Sequence, residues 1–94
     1  MFFVYLLKSL KDRNHYVGQT DDINRRVDEH NSGKVTSTKY RRPLVLVGYK
    51  MFNTRSESRW FEYQVKHHGD RKKKFIKEVE NMNVDSTDRR ASGQ

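Results

Sequence analysis

Phe2 to Leu7 constrains the fold more than any other stretch, because it is apolar on both of its alternating faces. In an extended strand Phe3, Tyr5 and Leu7 point one way, and Phe2, Val4 and Leu6 the other. Such a strand is expected to be covered on both sides. Ser9-Leu10-Lys11-Asp12 reads as a loop, and His15 to Gln19 as the returning strand. A four-residue loop pairs Lys8 with Arg13 and sets Tyr5 opposite Tyr16. Directly opposed residues lie about 4.5–5.5 Å apart at Cβ on one face. A one-residue slip would send the two tyrosines to different faces.

The chain has 94 residues, enough for one small domain. A domain of this size buries only about 60% of its unfolded surface, so its core is marginal. Hydrophobic residues make up 33%, but they are clustered, which favours a folded domain over disorder. The absence of cysteine excludes disulfides and thiolate zinc sites. The apolar opening lacks a leader's basic region and cleavage site. It is also far short of the roughly 20 residues that span a bilayer. No membrane association is expected, and a cytoplasmic location is. Lys and Arg number 20 against 12 Asp and Glu, a net charge of +8. That excess points to a polyanionic partner, usually nucleic acid, with solubility or affinity for an acidic membrane surface as the bland alternative.

Further along, Thr20-Asp21-Asp22 supplies a helix N-cap. The helix is predicted to run to about Ser32, with Gly33 just past its end. At about 100° per residue, Ile23, Arg26, Val27 and His30 share one sector, and Arg25 points almost the opposite way. Ile23 and Val27 must face the sheet, so Arg26 and His30 lean towards the protein body. A basic connection follows, with Lys34, Lys39, Arg41 and Arg42. Leu44 to Lys50 reads as a third strand, again apolar on both faces. Thr54-Arg55-Ser56-Glu57 matches a capping box, opening a helix to about His68. Phe61 and Val65 mark its buried stripe, with Glu62 at the border. Gly69-Asp70 ends that helix and caps another bearing Phe75, Ile76 and Val79. Residues 1–80 form the domain, and 81–94 are expected to be a polar, disordered tail.

Several of these residues suit phosphodiester cleavage, which needs an activated water, neutralised phosphate charge and help for the leaving oxygen. A divalent ion serves several of those needs. Mg²⁺ (or Mn²⁺) takes oxygen ligands and often only one or two carboxylates. Glu62 is the best-placed ligand; its structural alternative is a pair with Lys66 at i+4. Glu57 is already explained by its cap. Taken singly, Tyr5 and Tyr16 are more often core aromatics than catalysts. On their shared face Gly18 leaves a notch beside a phenol. A tyrosine base must lose a proton of pKa about 10, which a cation such as Arg26 would favour. Arg26 is placed to grip a phosphate, with an ion pair to Glu29 or Asp22 as the alternative. His30 suits a phosphate contact or proton transfer, or else is a locally satisfied histidine. Lys34, Lys39, Arg41 and Arg42 suit contacts to a phosphate backbone. Trp60, on the face away from Phe61, is suited either to stacking on an unpaired base or to filling a gap against the last helix. His15, His67 and His68 receive no role.

Together these residues resemble the GIY-YIG nuclease superfamily, in particular its small single-domain bacterial members. The first motif falls on Phe3-Val4-Tyr5 and the second on Tyr16-Val17-Gly18. The helix arginine falls on Arg26, a frequent histidine on His30 and the metal-binding glutamate on Glu62. Phe3 stands where the first motif has glycine, and Gln19 where some relatives carry lysine. The resemblance covers about residues 1–80. It implies an α+β fold, a three-stranded antiparallel sheet flanked by helices. It also implies hydrolysis of a nucleic-acid phosphodiester, DNA foremost, with one divalent metal, and repair or recombination is the expected setting. In those terms Glu62 binds metal, Tyr16 or Tyr5 activates water, Arg26 steadies the phosphate and His30 assists. Gly18 joins Lys34, Lys39, Arg41 and Arg42 as an expected nucleic-acid contact. The competing reading is a non-catalytic nucleic-acid-binding module of the same fold. RNA stays open as a substrate, as do a targeting partner and a state of monomer or weak dimer.

Overall fold

The computed structural model describes residues 1–92, with side chains described through residue 81. Three antiparallel strands, β1 (Phe2–Ser9), β2 (His15–Thr20) and β3 (Leu44–Phe52), form one sheet in the order β2-β1-β3. Three helices pack around it: α1 (Ile23–Asn31), α2 (Arg55–His67) and α3 (Gly69–Ser92). The fold is therefore α+β, as the sequence predicts. The tail expected over 81–94 falls almost wholly on positions whose side chains, or for 93–94 whose backbone, lie outside the described residues.

β1 is the central strand, and both of its faces are covered. Val4 and Leu6 join Val17, Val65, Phe75 and Val79 on the side of α2 and α3. Tyr5 and Leu7 join Leu44 on the other side, with Tyr16 and Val27 packed against them. All four consecutive residues from Val4 to Leu7 are at most 1% exposed. β3 differs from expectation. Val45, Leu46, Tyr49 and Met51 on it are each 39–57% exposed. As an edge strand it lacks a neighbour on one side, and the helices cover its faces only in part.

The hairpin register also corrects the sequence reading. Lys8 pairs with His15, Leu7 with Tyr16 and Tyr5 with Gly18. The shift relative to a four-residue loop is two positions at His15, so the side-chain alternation is preserved and both tyrosines stay on one face. The loop itself supplies the reason. Ser9 Oγ accepts from the backbone N–H groups of Lys11 and Asp12, each at 3.1 Å. Arg13 adopts a left-handed φ of 66°. The turn thus closes between the Ser9 amide and the Asn14 carbonyl at 2.9 Å.

Local chemistry sets the helix ends. Asp22 Oδ1 accepts from the Arg25 amide at 3.1 Å, which makes Asp22 the cap of α1. Gly33, at φ 84°, ends it. Its amide donates to His30 O, and the Lys34 amide donates to Glu29 O, a Schellman pattern. Thr54 and Glu57 form the capping box of α2. α3 begins at Gly69 itself, one residue earlier than a cap at Gly69-Asp70 implies. Asn31 then latches α1 to β3, because its side chain both donates to Leu44 O and accepts from Leu44 N–H at 2.8 Å.

Candidate active site

Tyr5, Tyr16 and His30 form a cluster of three rings on the α1 side of the sheet. Their centroids lie 5.0–6.4 Å apart. Gly18 makes this possible. A Cβ there would stand 2.3 Å from Tyr5 Oη and 2.5 Å from Cζ. The notch expected at Gly18 is therefore occupied by the Tyr5 ring rather than open to a ligand.

A polar chain runs inward from Tyr5. Its Oη lies 2.8 Å from His30 Nε2, and His30 Nδ1 lies 2.7 Å from Thr38 Oγ1. The Arg26 guanidinium also acts on the phenol oxygen, and it can only donate. The arrangement that gives every hydrogen an acceptor has Tyr5 O–H donating to Nε2 and Nδ1–H donating to Thr38. The Thr38 hydroxyl then donates to Val35 O at 3.5 Å. Tyr5, His30 and Thr38 are all essentially fully buried.

Burial dominates the electrostatics here. It pushes the Tyr5 phenol up to about 12, against the lowering effect of Arg26, and the charges of Tyr16 and Glu62 act in the same direction as burial. The pull of Arg26 anticipated from sequence is present but is outweighed. Burial, followed by the positive charge of Arg26, lowers His30 to about 4, so this imidazole is neutral at pH 7. Both of its nitrogens are engaged inside the protein, and the ring offers no free edge to a phosphate.

Arg26 fulfils two of its sequence readings together. Nη1 donates to Glu29 Oε1 at 2.9 Å, and the guanidinium still acts on Tyr5. Arg25 is turned outward and pairs with Asp21. Tyr16 is half-buried, and its hydroxyl has no hydrogen-bond partner among the described residues. α2 reaches round the β2 edge, so that Lys66 Nζ lies 5.5 Å above the Tyr16 ring. The same ammonium holds Glu62 Oε2 at 3.0 Å. Tyr5, Tyr16, Arg26, His30 and Glu62 are thus brought into one neighbourhood.

The carboxylate chemistry fits one hard divalent ion. Glu62 is the acidic group that acts on Tyr5, and its side chain keeps 21% exposure. Its second oxygen has no hydrogen-bond or ion-pair partner among the described residues. Among those residues no group of three or more His, Cys, Asp or Glu gathers as a metal cage. A site with one carboxylate and several waters is how Mg²⁺ is commonly held.

The basic connection divides into two parts. Arg41 is used internally: Nε pairs with Asp12 at 3.0 Å, and its carbonyl accepts from Ser9 Oγ. Lys34 is exposed. Lys39 and Arg42 line a shallow depression with Asn31, Tyr40, Pro43 and Lys11. Sequence reasoning missed Lys11, which a hairpin loop carries there, as well as Thr38 and Lys66. The i+4 spacing from Glu62 did signal Lys66, but as an alternative to function rather than as part of the site.

A β2-β1-β3 sheet flanked by helices, with these side chains grouped on one flank, is a small α+β domain of a kind the family comparison identifies. The GIY-YIG catalytic domain family matches residues 1–75, and the chain belongs to that family. UPF0213 proteins of Staphylococcus aureus strains Mu3 and Mu50 are 42% identical over 78 residues, covering 81% of this chain and 94% of theirs. The UPF0213 protein of Bacillus halodurans, solved by solution NMR, is similar at 38% identity with a TM-score of 0.51, covering 84% of this chain and 85% of that one. Among the described residues no helix is long and apolar enough to cross a membrane.

Proposed function

We propose that this chain is a divalent-metal-dependent endonuclease hydrolysing DNA phosphodiester bonds, in a reducing, cytoplasmic setting that suits its lack of cysteine. The observation that carries the reading is the convergence of Glu62, Arg26 and Tyr16 beside a buried Tyr5–His30–Thr38 chain. Mg²⁺ or Mn²⁺, held by Glu62, would polarise the phosphate and favour ionisation of a bound water. Tyr16, as the phenolate left when its own proton passes to solvent, takes the proton of the attacking water; the water oxygen bonds to phosphorus as the bond to the leaving oxygen breaks, and solvent protonates that oxygen. Tyr5 is the poorer base, because burial holds its phenol at about 12. Its role, with His30 and Thr38, is positioning: the chain fixes the ring against which Tyr16 and Arg26 are set. Arg26 steadies the charge on the phosphate oxygens. Lys34, Lys39 and Arg42 contact the flanking backbone.

The test is cleavage of labelled duplex, nicked, flapped and single-stranded DNA with Mg²⁺ or Mn²⁺ against EDTA. Tyr16→Phe is expected to lower the rate by about 10²–10⁴-fold, the usual contribution of a general base. Glu62→Ala should abolish metal-dependent cleavage. Salt-sensitive binding with no cutting under any condition would instead identify a binding module that keeps the fold.

A further inference from the structure

The outer face of α2 carries a run of rings that this mechanism leaves unused. Trp60 is 63% exposed and Tyr63 51%. Their rings are nearly parallel, with centroids 5.9 Å apart and planes at 12°. His67 continues the run, 4.3 Å from Tyr63 at 34°. Trp60 therefore does not fill a gap against α3. At about 100° per residue these three positions share one sector, remote from Phe61 and Val65.

Their position relative to the candidate site is the informative part. Round the helix from the buried stripe come Glu62, then Lys66, then Arg59, then Tyr63, in steps of about 20–40°. Lys66 touches the site through both Glu62 and Tyr16. Arg59 is exposed and has no carboxylate partner among the described residues. Two cations thus line the path from Glu62 to the rings. A protein interface would suit the rings and Arg59, but Lys66 and Glu62 beside them are of the types such interfaces exclude. A polyanion with flat faces fits it well. A duplex offers phosphates but keeps its base faces stacked internally, whereas unpaired nucleotides offer both.

We propose that the outer face of α2 is a stacking platform for unpaired DNA bases, with Trp60 and Tyr63 under the bases and Lys66 and Arg59 along the backbone. The substrate class is then single-stranded DNA, or duplex with an unpaired strand such as a flap. The inference rests on the nuclease reading only for placing the scissile phosphate near Glu62.

Trp60 is the single tryptophan of the chain, so its fluorescence reports on the platform alone. The full chain in EDTA is titrated with an oligothymidylate and with a blunt duplex of equal length. The oligothymidylate is expected to quench Trp60. In a Trp60→Ala/Tyr63→Ala double variant, polarisation of labelled oligothymidylate should show a loss of about 10-fold or more, while duplex binding changes by less than about twofold. Both side chains are exposed, and an unchanged melting curve confirms that the variant is folded. Absence of quenching, or equal losses on both ligands, would overturn the platform and leave the strip to a protein partner. Metal-dependent cleavage by the unmodified chain is scored separately. Quenching without cleavage keeps the platform and removes the nuclease, and cleavage without quenching does the reverse.

Discussion

Gly18→Ala is the most demanding perturbation of the site, because it adds one methyl group to the most crowded point of the sheet. The new Cβ would meet Tyr5 Oη at 2.3 Å, Cζ at 2.5 Å and Cε2 at 3.1 Å. Ordinary contact begins near 3.4 Å, so the ring must retreat by about 1 Å. It has little room, being 1% exposed and held at Oη by His30 at 2.8 Å. Overpacking of this kind costs roughly 1–3 kcal/mol. Stretching the Tyr5–His30 bond adds about 1 kcal/mol. The reduced freedom of the unfolded chain returns about 0.4–1 kcal/mol. The net loss is about 2 kcal/mol. At roughly 4–8 °C per kcal/mol for a domain of this size, Tm falls by about 8–16 °C. Thermal and urea melts followed by circular dichroism measure it. The decisive comparison is the same change in a Tyr5→Leu background, where the side chain ends short of Cζ. There the clash and the stretched bond are gone, and Gly18→Ala should leave only the unfolded-chain gain, a stabilisation of about 0.4–1 kcal/mol. An equal cost in both backgrounds would refute the assignment of the clash to Tyr5.

Two further predictions follow from the polar chain and the basic connection. His30 falls from 6.5 to about 4 on folding, so the unfolded state binds more protons across that window. Its contribution is complete above pH 6.5 and is lost as pH falls to about 4, by about 3 kcal/mol in all. Urea midpoints at pH 7, 5.5 and 4.5 should show this slope, and His30→Asn should flatten it. Among the cations, Lys39→Ala and Arg42→Ala should each lower the salt slope of duplex binding by about 0.9 for a lost phosphate contact. Arg41→Ala should leave that slope alone and lower Tm instead, because the Arg41 guanidinium pairs with Asp12 of the hairpin loop and reaches His15 O.

Features set by adjacent residues were legible in the sequence. The Asp22 and Thr54–Glu57 caps depend on chemistry within one turn, and the face shared by Arg26 and His30 follows from helical periodicity. The hairpin was legible in its alternation but not in its register. A serine hydroxyl and a non-glycine residue at positive φ reshape the loop, and neither leaves a pattern in a one-dimensional string. The exposure of β3 was hidden for a different reason: an apolar run looks the same at the centre of a sheet and at its edge. Thr38 was missed because its partnership with His30 crosses an irregular connection whose path is tertiary. The ion-pair readings of Arg26 with Glu29 and of Glu62 with Lys66 both hold, and neither moves its residue out of the candidate site. Each ion pair leaves its residue still directed at Tyr5 or Tyr16.

β1 presents Val4 and Leu6 to one core and Tyr5 and Leu7 to the other. One strand is thus both keel and workbench. In larger enzymes the reacting groups sit on loops that vary while the scaffold stays put. Here the strand that carries Tyr5 of the candidate site also joins the two halves of the core, so β1 has little freedom to change. New specificity would arise more readily where the core does not reach, on the outer surface of α2 and in the connection after α1. Those are the places at which variants with altered substrate preference should be sought.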